Sequence, residues 1–133
     1  MTKHNKIENK MNRPIFVYGI LKNNPGAVSA RVHGFRMIDM GHFPAAIPSC
    51  GNDTLIGELI HVDDARVKRF DMIEGHPNFY RRQGVKVVTA DCEEVDAEMY
   101  VINEAYWERS ISGDRLLIET EDEVTTYEYN LDG

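Results

Sequence analysis

The chain has 133 residues and a formal charge of −7, from 15 Lys+Arg against 22 Asp+Glu, and is 42% hydrophobic and 28% charged. That is the size of one domain and the composition of an ordinary globular protein, with no apolar run of about 18 residues to make a transmembrane helix. Met1 to Arg13 lacks the apolar core of a signal peptide, and two cysteines, Cys50 and Cys92, make no disulfide framework; the expectation is a cytoplasmic protein with reduced thiols.

In chain order, residues 1–13 carry Lys3, Lys6, Lys10 and Arg13 against Glu8, a net +3, and are expected to be a flexible basic tail. Pro14 to Tyr18 is a short apolar run with β-branched and aromatic residues, which predicts a buried strand stopped by Gly19. Ile20-Leu21-Lys22 leads into the turn cluster Asn23-Asn24-Pro25-Gly26. Ala27 to Arg31 is expected to form a brief helical turn and Val32 to Met40 a second strand. A loop follows through Gly41-His42-Phe43-Pro44 and Pro48-Ser49-Cys50-Gly51-Asn52.

Thr54 to Val62 predicts another strand, in which Gly57 marks a bulge or a close backbone approach. Asp63 or Asp64 can accept the first free amides of a helix over Ala65 to Ile73, with Gly75 placed for a left-handed cap and Pro77 as a stop. Tyr80 to Thr89 and Val95 to Asn103 are predicted to pair as a hairpin around Asp91-Cys92-Glu93-Glu94. Trp107 to Ile118 has no clear period. Residues 119–133 carry Glu119, Glu121, Asp122, Glu123, Glu128 and Asp132 with no Lys or Arg, a net −6. They are expected to be an acidic C-terminal extension of a domain spanning 14–118, with Val124, Tyr127, Tyr129 and Leu131 as apolar anchors. Some five strands and one helix, without regular alternation, predict an α+β fold built on a mostly antiparallel sheet or barrel.

The middle of the chain keeps a net charge of −4, which offers no basic face to a nucleic acid. There is no Walker A sequence and no G-x-G-x-x-G. His4, His33, His42, His61 and His76 are dispersed, with no i,i+4 pair and no C-x-x-C, so no metal site is expected. Ser29 and Ser49 lack a nucleophile-elbow context, and nothing in the sequence beside Cys50 would depress a thiol pKa. No cofactor is expected.

Glu74 stands apart from the other acids. The helical period puts it on the same face as Val67 and Phe70, where a carboxylate is costly unless it is paired or lines a cavity. The negative end of the helix and Asp71, three residues back, are both expected to raise its pKa toward the range of a general acid/base. The ordinary alternative is an ion pair with Lys68, Arg81 or Arg82. Tyr18-Gly19 likewise reads either as a strand end or as a turn whose free amides bind an anion.

Phe16-Val17-Tyr18-Gly19-Ile20-Leu21 resembles the Phe-x-Tyr-Gly-(Thr/Ser)-Leu signature of the gamma-glutamylcyclotransferase-like superfamily. The resemblance continues in order. Gly34 is similar to the glycine of the second strand and Gly41-His42-Phe43-Pro44-Ala45 to a Gly-x-Tyr-Pro-Ala loop. Gly57-Glu58-Leu59 is similar to Gly-Glu-(Leu/Val), and Phe70-Asp71-Met72-Ile73-Glu74-Gly75 to Leu-Asp-x-x-Glu-Gly. Tyr80-Arg81-Arg82 and Ala97 to Val101 resemble the closing strands.

The resemblance implies a small mixed β-barrel with one main helix alongside. It implies a cofactor-independent enzyme that releases 5-oxoproline from a small gamma-glutamyl amine or amino acid, with Glu74 as general acid/base. Gly19, Ile20 and Leu21 would bind the substrate through backbone amides, and Tyr18, Tyr80 and Tyr100 would form the cavity wall. Ile20 departs from the usual Thr or Ser, and the alternative it raises is a catalytically impaired module that binds a small metabolite. The expected partner is a small gamma-glutamyl substrate, with neither membrane nor nucleic acid, and the expected state is a monomer or weak homodimer.

Overall fold

The computed structural model describes residues 13–19, 21–41, 43–49, 51–109 and 116–129. Nine strands form one sheet: β1 Arg13–Val17, β2 Val28–His33, β3 Phe35–Asp39, β4 Pro44–Pro48, β5 Thr54–Val62, β6 Tyr80–Thr89, β7 Glu94–Ile102, β8 Leu116–Glu121 and β9 Val124–Tyr129. Among the described residues one α-helix, α1 Asp64–Glu74, follows β5, and a short 3-10 helix spans Glu104–Arg109. Strand β1 pairs antiparallel to β5 and parallel to β7, while β5 pairs with β2, β2 with β6 and β6 with β7, all antiparallel. These five strands close on themselves, and the parallel β1–β7 seam makes the barrel mixed. The α+β barrel with one helix alongside is therefore the fold observed.

Strand β1 is apolar from Pro14 to Val17, and its last three residues, Ile15 to Val17, are buried because both faces are covered there. Phe16 joins Ala30, Val32, Leu55, Leu59, Val87 and Met99 in a core drawn from all five barrel strands. Ile15 and Val17 point the other way, joining Ile60, Val62, Tyr100 and Ile102 against Val67 and Phe70 of α1. A strand buried on two faces loses the polar/apolar alternation of a half-exposed one. Helix α1 begins as its local sequence dictates: the Asp63 carboxylate accepts the Arg66 amide at 2.8 Å. It ends at Gly75, whose φ of 67° makes the left-handed cap.

Three expectations are corrected. Ala27 to Arg31 forms no helical turn; Val28–His33 is β2, held between β5 and β6. Val32 to Met40 is not one strand, because Gly34 at φ 87° breaks it into β2 and β3. The supposed loop after Met40 contains β4, with Pro44 and Pro48 only at its two ends, where a proline is tolerated. This strand pairs antiparallel with β3 and touches β7 in parallel at Ala46 and Val101. The acidic C-terminal stretch enters the sheet as well: β8 and β9 form a hairpin, and β9 runs parallel to β5 at Thr54 and Leu55. Residues 1–12 and 130–133, at the two charged ends, lie outside the described residues.

Candidate active site

Where β1 ends, the chain passes through Tyr18 and Gly19 along the mouth of a small cavity. Tyr18, Gly19 and Leu21 form one side, Phe43 and Pro44 another, and Tyr80 and Tyr100 the wall, with Glu74 facing in from the end of α1. The cavity encloses about 30 Å³, room for roughly two water molecules. Glu74, Tyr18, Gly19, Leu21, Tyr80 and Tyr100 are thus brought together as lining residues. Ile20 lies outside the described residues, as do His42 and Cys50.

Glu74 is the last residue of α1, and the amides of Gly75 and His76 turn back onto the carbonyls of Met72 and Asp71 at 3.3 and 2.8 Å. This tight cap ends the helix at once and leaves the carboxylate at the cavity rim. Among the described residues no cation and no hydrogen-bond donor is paired with it. Burial alone pushes its carboxyl up to about 7 from an ordinary 4.5. Asp71 is not the cause expected from its spacing. Its carboxylate accepts Arg82 Nη1 through both oxygens at 2.9 Å and the Tyr100 hydroxyl at 2.6 Å. Nor do the nearby cations reach Glu74: Arg82 also donates to Glu98 at 3.2 Å, and Arg81 turns to Asn103 and Gln83.

The three wall tyrosines are fixed by their hydroxyls rather than free to move. Tyr18 donates to the carbonyl of Tyr100 at 2.7 Å and accepts the Ala46 amide at 2.9 Å. Tyr80 donates to the Pro44 carbonyl at 2.7 Å. Burial holds all three phenols above their ordinary pKa, and the neighbouring Glu74 charge adds to this. They are therefore neutral at physiological pH, and each hydroxyl proton is already committed. The wall presents ring faces, and Glu74 is the one ionisable carboxyl among the described lining residues.

Gly19 is needed for shape. A Cβ there would lie 2.6 Å from Pro44 Cγ, well inside contact distance. The turn beyond it is held by the Glu58 carboxylate of β5, which accepts the amides of Asn23 and Asn24 at 2.8 and 3.3 Å. Among the described residues no hydrogen bond occupies the amides of Gly19 and Leu21, so both remain able to donate. No His, Cys, Asp and Glu side chains among the described residues gather in a group able to hold a metal ion.

Sequence reasoning did not find the charge network that clamps the helix to the barrel. Arg13 of β1 reaches Asp64 at the start of α1 and Glu98 of β7, and Glu98 passes the chain through Arg82 to Asp71. The signal was available in the hairpin: Arg82 and Glu98 share the parity of Tyr80 and Tyr100, which places them on the helix-facing side. Asp71→Asn should leave Arg82 without its bidentate partner and cost about 1–3 kcal/mol of stability, read as a lower urea midpoint with an unchanged slope.

The family model described as "Gamma-glutamyl cyclotransferase, AIG2-like" matches residues 15–123. A protein of Methanocaldococcus jannaschii is 37% identical over 51 residues, which are 38% of this chain and 42% of that one. The gamma-glutamylcyclotransferase family protein YtfP of Escherichia coli is 32% identical over 79 residues, covering 52% of this chain and 68% of its own. The match thus spans less than half of the archaeal relative. Among solved structures, one from Arabidopsis thaliana superposes with a TM-score of 0.64 at 24% identity over 78% of each chain. A mouse AIG2-like protein superposes with a TM-score of 0.63 at 20% identity, over 78% of this chain and 90% of that one. At those identities the two structures speak for the fold alone.

Proposed function

The chain belongs to the gamma-glutamyl cyclotransferase, AIG2-like family, and on that premise we propose that it releases 5-oxoproline from a small gamma-glutamyl amine or amino acid. The observation that carries the reading is Glu74: one half-buried carboxyl on the wall of a small cavity, without a cation or donor among the described residues, and with a pKa near 7. A group so placed can take a proton and give it back near neutrality.

In this reading the substrate's α-ammonium loses a proton to the Glu74 carboxylate. The freed amine attacks the γ-carbonyl of the same molecule. A C–N bond forms to close the five-membered lactam, and the bond from that carbon to the leaving nitrogen breaks. Glu74 passes this proton to the leaving nitrogen and then relays the second one, shed by the ring nitrogen as the lactam forms, so the amine departs as an ammonium ion and the residue ends as it began. The free amides of Gly19 and Leu21 face the negative groups of the substrate, its α-carboxylate or the developing oxyanion. Because attack is intramolecular, the ringed wall of Tyr18, Tyr80 and Tyr100 contributes by holding the substrate folded.

Mass spectrometry for 5-oxoproline over a panel of gamma-glutamyl amines, gamma-glutamyl amino acids and glutathione tests the proposal; no product from any of them would overturn it. The pH dependence is a second check. Only the carboxylate form accepts the ammonium proton, so kcat/KM should rise with pH through an apparent pKa of about 7, whereas an unperturbed glutamate would give a limb near the ordinary 4.3 or so. The second reading rests on Ile20, which stands where the family signature has Thr or Ser: a binding module without turnover. Thermal stabilisation by a gamma-glutamyl compound without product would favour it.

A further inference from the structure

The loop from Gly19 to Asn24 carries the amides assigned to the substrate, so what keeps that loop in place decides how ready the site is. One anchor is Glu58, already described, and Arg66 of α1 adds a donation to Asn24 Oδ1 at 3.2 Å. A further one comes from the far end of the chain. Lys22 Nζ donates to the carbonyl of Tyr129 at 2.9 Å and lies 4.0 Å from the Glu128 carboxylate, with only 10% of its side chain exposed. The Lys22 amide meanwhile donates to the Gly19 carbonyl at 3.0 Å. One residue therefore closes the turn over the cavity and ties it to the end of β9.

That end is firmly set. Tyr129 is 1% exposed and belongs to the core shared by the barrel strands, and β9 is paired with β5 on one side and β8 on the other. We infer that the C-terminal hairpin is a working part of the site, and that Lys22 is a positioning residue through which β9 braces the substrate loop. The inference rests on the cyclotransferase reading and extends it to β9, which lies beyond the segment 15–123 shared with the family. Lys22 does not line the cavity, and its ammonium is engaged by a carbonyl and a carboxylate of the hairpin. Its buried stem lies along the protein while its head is held at the hairpin. A loop ordered in advance gives up less freedom when the substrate arrives. Loss of the brace should therefore weaken binding and spare the proton transfers at Glu74, which sits on a different element.

The test compares full-length Lys22→Met and Lys22→Arg with the wild-type protein. Lys22→Met should raise KM roughly 3- to 10-fold while kcat stays within about twofold. Lys22→Arg keeps a donor at the hairpin and should recover most of the loss. Amide hydrogen exchange on the unliganded proteins should show faster exchange at Leu21 and Lys22 in Lys22→Met and near-normal exchange in Lys22→Arg. A merely structural lysine would lower the melting temperature of Lys22→Met without moving either KM or the exchange at Leu21, and that result overturns the inference, as does an equal fall in kcat and kcat/KM. If the wild-type protein turns over no gamma-glutamyl compound, the cyclotransferase reading fails, while the exchange comparison still decides whether Lys22 holds the loop.

Discussion

Glu74→Gln should leave the barrel intact and lower 5-oxoproline release by about 10²–10⁴-fold, the usual contribution of a positioned acid/base. Glutamine keeps the shape and polarity of the side chain but can neither take nor return a proton. The residual rate would come from holding the substrate folded. A second consequence concerns stability, and its sign is opposite to that of most active-site losses. The Glu74 carboxyl is raised from 4.5 to about 7 in the folded protein. Below pH 4.5 the group is protonated in both states and costs nothing. As pH climbs, the unfolded chain ionises first, so folding stability is lost progressively until the folded pKa has been passed. Above that point the penalty is constant, on the order of 3 kcal/mol at most. The glutamine variant is free of it. It should match the wild type near pH 4 and melt higher at pH 8, and a variant that melts higher yet makes no product identifies a carboxylate kept for chemistry at the expense of stability. Wild-type turnover in Glu74→Gln would remove the residue from the mechanism.

The parts of the fold legible in the sequence are those whose causes are local. Asp63 caps α1, Gly75 ends it and the turn through Asp91, Cys92 and Glu93 closes the β6–β7 hairpin, and each is read from residues adjacent in the chain. The stretch from Ala27 to Pro48 is poorly legible because its structure is decided at a distance. Val28–His33 becomes a strand through partners in β5 and β6, and β4 through β3, which precedes it, and β7, far along the chain. The C-terminal stretch shows the same limit. Tyr127 and Tyr129 were visible as apolar anchors, yet nothing nearby in sequence tells that they lie on a strand beside β5.

The site was legible in a similar measure. The ordered motifs bring Tyr18, Gly19, Leu21, Glu74, Tyr80 and Tyr100 to one cavity. Spacing alone misassigned Asp71, because two acids three residues apart on a helix look like mutual perturbers. The hairpin supplies Arg82 and Tyr100 to one of them and a cavity to the other. What the sequence conceals is this division of labour: Asp71 is ion-paired with Arg82 and clamps the helix, while Glu74 has no cation paired with it among the described residues.

Gly57→Ala is the substitution expected to damage both fold and site most. Gly57 lies on β5 opposite Ala30, where the strand is crowded from the β1 side. A Cβ built on it would stand 2.4 Å from the Val17 carbonyl oxygen and 2.7 Å from Phe16 Cζ. A flexible side-chain tip could swing aside, but a backbone carbonyl inside a closed barrel cannot do so without moving its strand. Overpacking of a core commonly costs 1–3 kcal/mol and occasionally more, and a backbone clash of this kind belongs at the upper end, at about 3 kcal/mol or above. That is a large part of the roughly 5–15 kcal/mol holding a domain together. The displaced residue is Val17, directly before Tyr18 and Gly19, so the variant that still folds should also bind substrate poorly. Gly84→Ala is the control, since a Cβ at Gly84 meets nothing within 4 Å and removing a strand glycine at an unstrained position should stabilise by about 0.4–1 kcal/mol. Urea melts of the two variants side by side separate the effect of a close backbone approach from the general effect of replacing a glycine; equal midpoints would show that β1 yields at Val17 without cost.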